Sequence, residues 1–417
     1  MRAALWLLAL FGIAVAVALF AGNNQGTVTL FWPPWRLDLS LNLVLLLLVG
    51  AFVLLHVALG ALSALFDMPR QALRWRTQQK ERAMHASVLD SFSHLIAGRF
   101  IRARKAAEAA LGQEKSLTSG GHAPANGAQV RTLAHLLAAE SAQSLQDKPA
   151  REEHLKLALD EGAARDAQET REGALMRAAR WSLDDRDPDA AIAWLRELPQ
   201  GAARRTLAMR MKLKAARLAR QTADALETAR LLAKHRAFSS TAAESIVRGL
   251  AMDMLNGAHD AQQLQRTWLS LEAAEREMPE LAIHAAQRLV MLGGDAQVAR
   301  EWLLPVWDQQ HQLGDTAKVK LVRALETGLD TLDATWLARI ETAQRANPRD
   351  ATLQYLAGMA CMKRQLWGKA QQLLGQAALG IQDPRLHRNA WRAVAELAEQ
   401  RGDAEAAARA WKRAATE

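Results

Sequence analysis

The sequence predicts an all-α protein with two N-terminal transmembrane helices followed by a stack of short helix pairs. Three observations predict it. Two long apolar runs, Ala3 to Ala21 and Leu41 to Phe66, open the chain. The remainder is rich in alanine and poor in proline, a composition that favours helix over sheet. Beyond the second run, short apolar stretches at helical spacing alternate with turn signals.

The first run contains no charged or polar side chain, and the second is interrupted only by Asn42, His56 and Ser63. A helix crosses a bilayer core with about 20 apolar residues, so both runs qualify. A cleaved signal peptide is the rival reading of the first run, but its apolar part is long and a second span follows almost at once. The connection, residues 22–40, is too short for a domain. Val28, Leu30 and Trp32 alternate with Thr27, Thr29 and Phe31, which hints at a short extended piece. Pro33-Pro34 is then expected to forbid regular structure. Trp32 and Trp35 flank the prolines as interfacial anchors would.

Orientation follows from the basic residues beside the spans. The connection holds Arg36 alone, whereas Arg70, Arg74, Arg76, Lys80 and Arg82 follow the second run. Both termini are therefore expected in the cytoplasm, with the connection outside. Trp75 suits a segment lying against anionic headgroups. The net charge of +9 is largely local: Asp67 to Lys105 holds nine basic and three acidic residues, and the rest reads as nearly balanced. That distribution argues against nucleic acid as a partner and for membrane lipid. The expected domains are a membrane hairpin over 1–66, a basic juxtamembrane segment over 67–86 and a helical repeat domain over 87–417.

The final segment shows the repeat best. Trp391 and Ala395 share a helix face, Gly402-Asp403 forms a turn, and Ala407, Trp411 and Ala414 form a second face. Gly358, Ala370, Leu374 and Ala377 carry the same spacing upstream. Ala179, Ala191, Leu195 and Leu198 repeat it, as do Ser91, Ala103, Ala107 and Ala110. Turn signals fall at Gly98-Arg99, Asp147-Lys148-Pro149, Asp187-Pro188-Asp189 and Gly293-Gly294-Asp295. Residues 204–333 are helical by pattern but keep the spacing poorly, with turns expected near Gly257, Gly294 and Gly314. Ser116 to Gly127 reads as a loop. The pattern resembles the tetratricopeptide repeat, so the expected repeat domain is an α-solenoid that presents a concave surface to partners. A bundle would need fewer, longer helices.

Two spans, the GTVTLFWPPWRLDLSL connection and the segment from Val88 to Leu111 make a combination similar to the HemY family of proteobacterial inner-membrane proteins. The resemblance implies an inner-membrane protein linked to a late step of protohaem IX synthesis, with enzymes or regulators of that synthesis as partners. It implies no catalytic residue. The flavin-dependent oxidase that shares the name is not resembled, since no GxGxxG follows a strand.

Catalytic signatures are absent from the sequence: there is no HExxH, GxSxG, phosphate loop or CxxC, and Cys361 is the single cysteine. The expectation is a non-enzyme. His56, inside the second apolar run, and His85, just beyond it, are the candidates for a haem or porphyrin ligand, although a neutral His56 could instead bond the first span. Three functions compete: a scaffold acting by protein contacts on the cytoplasmic face, a haem or porphyrin carrier or sensor, and an assembly factor for envelope biogenesis.

Overall fold

The structure is a computed structural model that describes residues 11–19, 22, 25–121, 123, 124, 126–160 and 167–416. The first expected span lies largely outside the described residues; within it, residues 11–19 are helical and exposed. The chain divides into two compact units, residues 1–171 and 172–417.

Unit 1 begins with a departure from the all-α expectation. Strands β1 (Thr27–Trp32) and β2 (Trp35–Ser40) pair antiparallel, from Thr27 opposite Ser40 to Trp32 opposite Trp35. Pro33 and Pro34, joined by a cis bond, occupy the two turn positions. They remove no donor from the ladder there, so the prolines make the turn rather than prevent the sheet.

The hairpin leads directly into helix α1 (Leu41–Ile96), capped by Ser40, whose hydroxyl accepts from the Leu43 N–H at 3.3 Å. Its first part, Leu41–Ser63, has a mean hydropathy of 2.8, is uncovered by the rest of the chain and is long enough to cross a bilayer. The helix continues unbroken through the basic segment over 67–86. It acquires a buried face at Met84 and Val88. There it packs with α2 (Phe100–Ser119) and α3 (Gly127–Ser144) around Ala107, Ala110, Leu117, Val130 and Ala134. The Ser91 hydroxyl donates to the Ala103 carbonyl at 2.8 Å, a backbone approach that small residues permit. Helix α4 (Lys148–Ala158) pairs with α3. The loop expected from Ser116 begins at Gly120 instead, because buried Leu117 anchors a last turn of α2.

Unit 2 comprises α5 (Gln168–Asp184, largely within it), α6 (Pro188–Arg196), α7 (Gln200–Ala203), α8 (Thr206–Leu218), α9 (Thr222–Lys234) and α10 (Ser240–Asn256). There follow α11 (Ala261–Ser270), α12 (Ala273–Arg276), α13 (Pro279–Met291), α14 (Ala296–Asp308) and α15 (Asp315–Glu326). The last are α16 (Ala334–Ala346), α17 (Ala351–Lys363), α18 (Trp367–Gly380), α19 (Pro384–Gln400) and α20 (Ala404–Thr416). One apolar core runs from Met209 to Leu397.

The turns share one mechanism. Gly98, Gln146, Arg186, Arg220, Arg236, Gly293, Gln365 and Gly402 all have φ between 52° and 76°. In each case the next residue's N–H returns to the carbonyl five positions back, as from Asp187 to Ser182 at 2.8 Å and from Asp403 to Ala398 at 3.0 Å. This left-handed closure satisfies the orphan carbonyls of the first helix. At Asp147, Asp187 and Asp403 the same residue's side chain then accepts from the third N–H ahead, at 3.0–3.3 Å, and opens the second helix. One residue thus ends one helix and starts the next, which gives the tight antiparallel pair of a tetratricopeptide-like solenoid.

Candidate docking surface

Helix α8 carries the least compensated charge in unit 2. Residues 201–221 contain seven basic side chains and no acidic one. The charge that looked balanced in sum is therefore unevenly placed. Arg205 pairs with Glu172 at 2.9 Å. Arg210 donates to the Ala237 carbonyl at 2.5 Å and lies over the Phe238 ring at 5.3 Å. Lys212, Lys214 and Arg217 are exposed and have no carboxylate within ion-pair distance among the described residues.

A groove runs along each side of this helix. The first, about 570 Å³, is lined by Ile192, Leu195, Met209 and Leu231, with Arg196, Arg204 and Lys212 at its rim and Asp224 as its one carboxylate. The second, about 490 Å³, has Leu213, Leu218, Phe238 and Ile246 beneath Arg210, Lys214 and Arg217. Helical geometry explains the division. Ala208, Met209, Lys212 and Ala216 turn to one side, and Arg210, Leu213, Lys214 and Arg217 to the other. Each groove offers apolar side-chain space under guanidinium and ammonium groups, a combination suited to an acidic, partly apolar peptide. Only the absence of any acidic residue over 201–221 could have disclosed this surface from sequence.

The C-terminal helix pairs build a more self-contained polar surface. The buried Tyr355 hydroxyl donates to Glu326, and Asn389 donates to the same carboxylate at 3.2 Å, tying α15, α17 and α19 together. Burial, and then Glu326 beside it, push the Tyr355 phenol far above its ordinary range, so it stays a donor. Arg323 meets Asp383 at 2.5 Å. Burial alone would raise that carboxyl, but the Leu386 N–H and Arg323 outweigh it and hold Asp383 below the usual carboxylate range. A pocket of about 380 Å³ beside it is lined by Arg385, Arg388, Asn389, Arg392 and Trp411.

The residues expected to pack the repeats lie as follows. Ala370, Leu374, Ala377, Ala395 and Ala407 are buried. A methyl group at Gly358 would lie 2.7 Å from Leu374 Cγ, so α17 and α18 touch where glycine removes the side chain. Trp391 is half-buried, donates to His387 Nε2 at 3.0 Å and is covered by Arg413 at 4.5 Å. Trp411 is exposed on α20 and donates to Glu399 at 2.7 Å, and Ala414 is half-buried. Cys361 is buried, and burial pushes its thiol up, as suits a packing residue.

Arg74, Trp75, Arg76, Lys80 and Arg82 are exposed on α1, and the Arg70 backbone belongs to the same helix. Lys80 reaches the Ser116 hydroxyl at 2.9 Å. Trp32 and Trp35 sit at the hairpin tip, both exposed. His56 is exposed with its ring 6.5 Å from that of Phe52, and His85 is exposed as well. Both histidines lie on α1, and a rise of 1.5 Å per residue places them about 43 Å apart along it. They cannot ligate one haem together. Among the described residues no group of three or more His, Cys, Asp or Glu side chains could hold a metal ion.

Residues 26–146 match the family model described as the HemY protein N-terminus. Over that stretch the chain is similar to the HemY family. The matched stretch takes in the hairpin, α1, α2 and α3, and it ends at Gln146, the left-handed residue that closes α3. No curated protein matches the chain. Three solved structures are similar to it. The APC/C hetero-tetramer Cut9–Hcn1 is 14% identical, over 84% of this chain and 68% of that one, with a TM-score of 0.27. The P58(IPK) TPR domain is 13% identical, over 80% and 99%, with a TM-score of 0.21. Naa15/Naa10 bound to HypK-THB is 12% identical, over 77% and 56%, with a TM-score of 0.25. At these scores the solenoid assignment rests on the helix pairs and their turns.

Proposed function

We propose that this protein is a membrane-anchored helical-repeat adaptor that works on the cytoplasmic face of the inner membrane. It binds acidic segments of partner proteins along α8 and keeps them near the bilayer. The reading is carried by the unpaired Lys212, Lys214 and Arg217 above two apolar-floored grooves. The HemY N-terminus supports a link to a late step of protohaem IX synthesis, which makes enzymes or regulators of that synthesis the favoured partners. The mechanism is positional: tethering raises the effective concentration of bound partners at the membrane. The excess of basic residues after the second apolar run supports a cytoplasmic repeat domain and a two-span anchor.

Affinity purification from gently solubilised membranes tests this reading. Wild-type protein is expected to retain haem-synthesis proteins that a Lys212→Glu, Lys214→Glu, Arg217→Glu variant loses. Equal recovery by both, or by an unrelated membrane control, would remove the adaptor's main support. A reporter fused after Glu417 is expected to be active only in the cytoplasm.

A further inference from the structure

The β-hairpin has two chemically different faces. Directly paired residues of antiparallel strands share a face. Val28 with Leu39, Leu30 with Leu37 and Trp32 with Trp35 make one face; Thr27 with Ser40, Thr29 with Asp38 and Phe31 with Arg36 make the other. The second face is internally partnered, with Arg36 meeting Asp38 at 3.5 Å and lying 5.2 Å from the Phe31 ring centre. The first holds no polar side chain and is open over Leu30, Trp32, Trp35 and Leu37, with Val28 and Leu39 half-buried. Leu30 is 55% exposed, Leu37 57%, Trp35 72% and Trp32 76%. A two-stranded sheet with its apolar face in water is marginal at best, so this face calls for a cover.

We propose that the face of Val28, Leu30, Trp32, Trp35, Leu37 and Leu39 lies flat on the bilayer surface where α1 enters the membrane. Three observations select lipid as the cover. First, no linker separates sheet from span: Ser40 ends β2 and caps α1, and the Leu41 N–H donates to the Gly26 carbonyl at 2.9 Å. The face therefore starts at the membrane boundary. Second, tryptophan is the side chain that settles at headgroup level, and two of them are paired on this face. Third, both outer edges of a two-stranded sheet keep unpaired N–H and C=O groups. Hydrocarbon would leave those groups unsatisfied, whereas hydrated headgroups satisfy them. The hairpin therefore rests on the membrane and does not enter it.

The inference relies on Leu41–Ser63 crossing the bilayer, and the test separates the two ideas. The full chain with Cys361→Ala is reconstituted in nanodiscs carrying nitroxide-labelled phosphatidylcholine. Leu30→Cys, Leu37→Cys, Thr29→Cys and Val53→Cys are each labelled with an environment-sensitive dye. Dyes at 30 and 37 are expected to be quenched by the nitroxide lipid several-fold more than the dye at 29, which aqueous iodide reaches instead. Equal lipid quenching at 29 and 30 would overturn the proposal. So would shielding of position 30 from both quenchers, which would mean that protein covers the face. Should the dye at 53 escape lipid quenching, the span itself is wrong and the proposal falls with it.

Discussion

Gly358 shows how much of the repeat depends on a missing side chain. An added Cβ would lie 2.7 Å from Leu374 Cγ and 3.2 Å from the Leu374 backbone nitrogen. Part of that crowding involves the main chain, so Gly358→Ala is expected to destabilise unit 2 by about 1–3 kcal/mol through overpacking. Chemical denaturation would measure it, and an unchanged midpoint would refute it. The sequence revealed this position because small residues recur there at fixed spacing. It did not reveal Tyr355, whose link to Glu326 and Asn389 joins residues 29 and 63 positions apart. Spacing within one helix pair carries no information about partners on neighbouring pairs. The charge on α8 was hidden for another reason: a net total conceals a local excess.

Helix pairs were legible where glycine marked the turn, as at Gly98, Gly293 and Gly402. They were obscure where arginine takes the same left-handed conformation, as at Arg220 and Arg236. Glycine adopts that geometry freely, and other residues adopt it only when the surrounding hydrogen bonds enforce it. The poor repeat spacing over 204–333 reflects two such disguised turns and the short insertion of α12. The first strand was hinted at by its alternation, but the return strand was hidden because proline breaks strands and here forms the turn itself. One pair also has a titratable contact. His135 on α3 and His154 on α4 place their Nδ1 atoms 3.1 Å apart. Burial, then His154 and Arg131, push the His135 imidazole from 6.5 down to about 4, against a smaller opposing effect of Glu114. The folded state therefore disfavours the charged ring. Its stabilising contribution is complete above about pH 6.5 and is lost as pH falls through about 4. Amide exchange along α3 and α4 is expected to accelerate over that window, and less so in His135→Gln. Identical acid profiles for the two proteins would rule this out.

Across the molecule, α1 decides how unit 1 meets the membrane. No loop divides the apolar stretch from the turns that pack against α2 and α3, so the rotation of one fixes the other. Two residues inserted after Arg76 would turn the packed end by about 200°, whereas seven would restore its facing to within about 20°. A photo-reactive side chain at exposed Leu89 is expected to capture its native neighbours in wild-type and seven-residue-insertion membranes, but not in the two-residue variant. Identical capture by all three would show that facing is immaterial. The same continuity also makes the helix a lever. From Ser63 to Met84 it spans about 32 Å, by the rise of an α-helix. If a thinner bilayer tilts the span by a further 20° or so, a typical response to mismatch, the start of the packed region sweeps sideways by about 10 Å. Lipid composition would then act as a positioning control, translating leaflet thickness into the reach of whatever unit 1 carries.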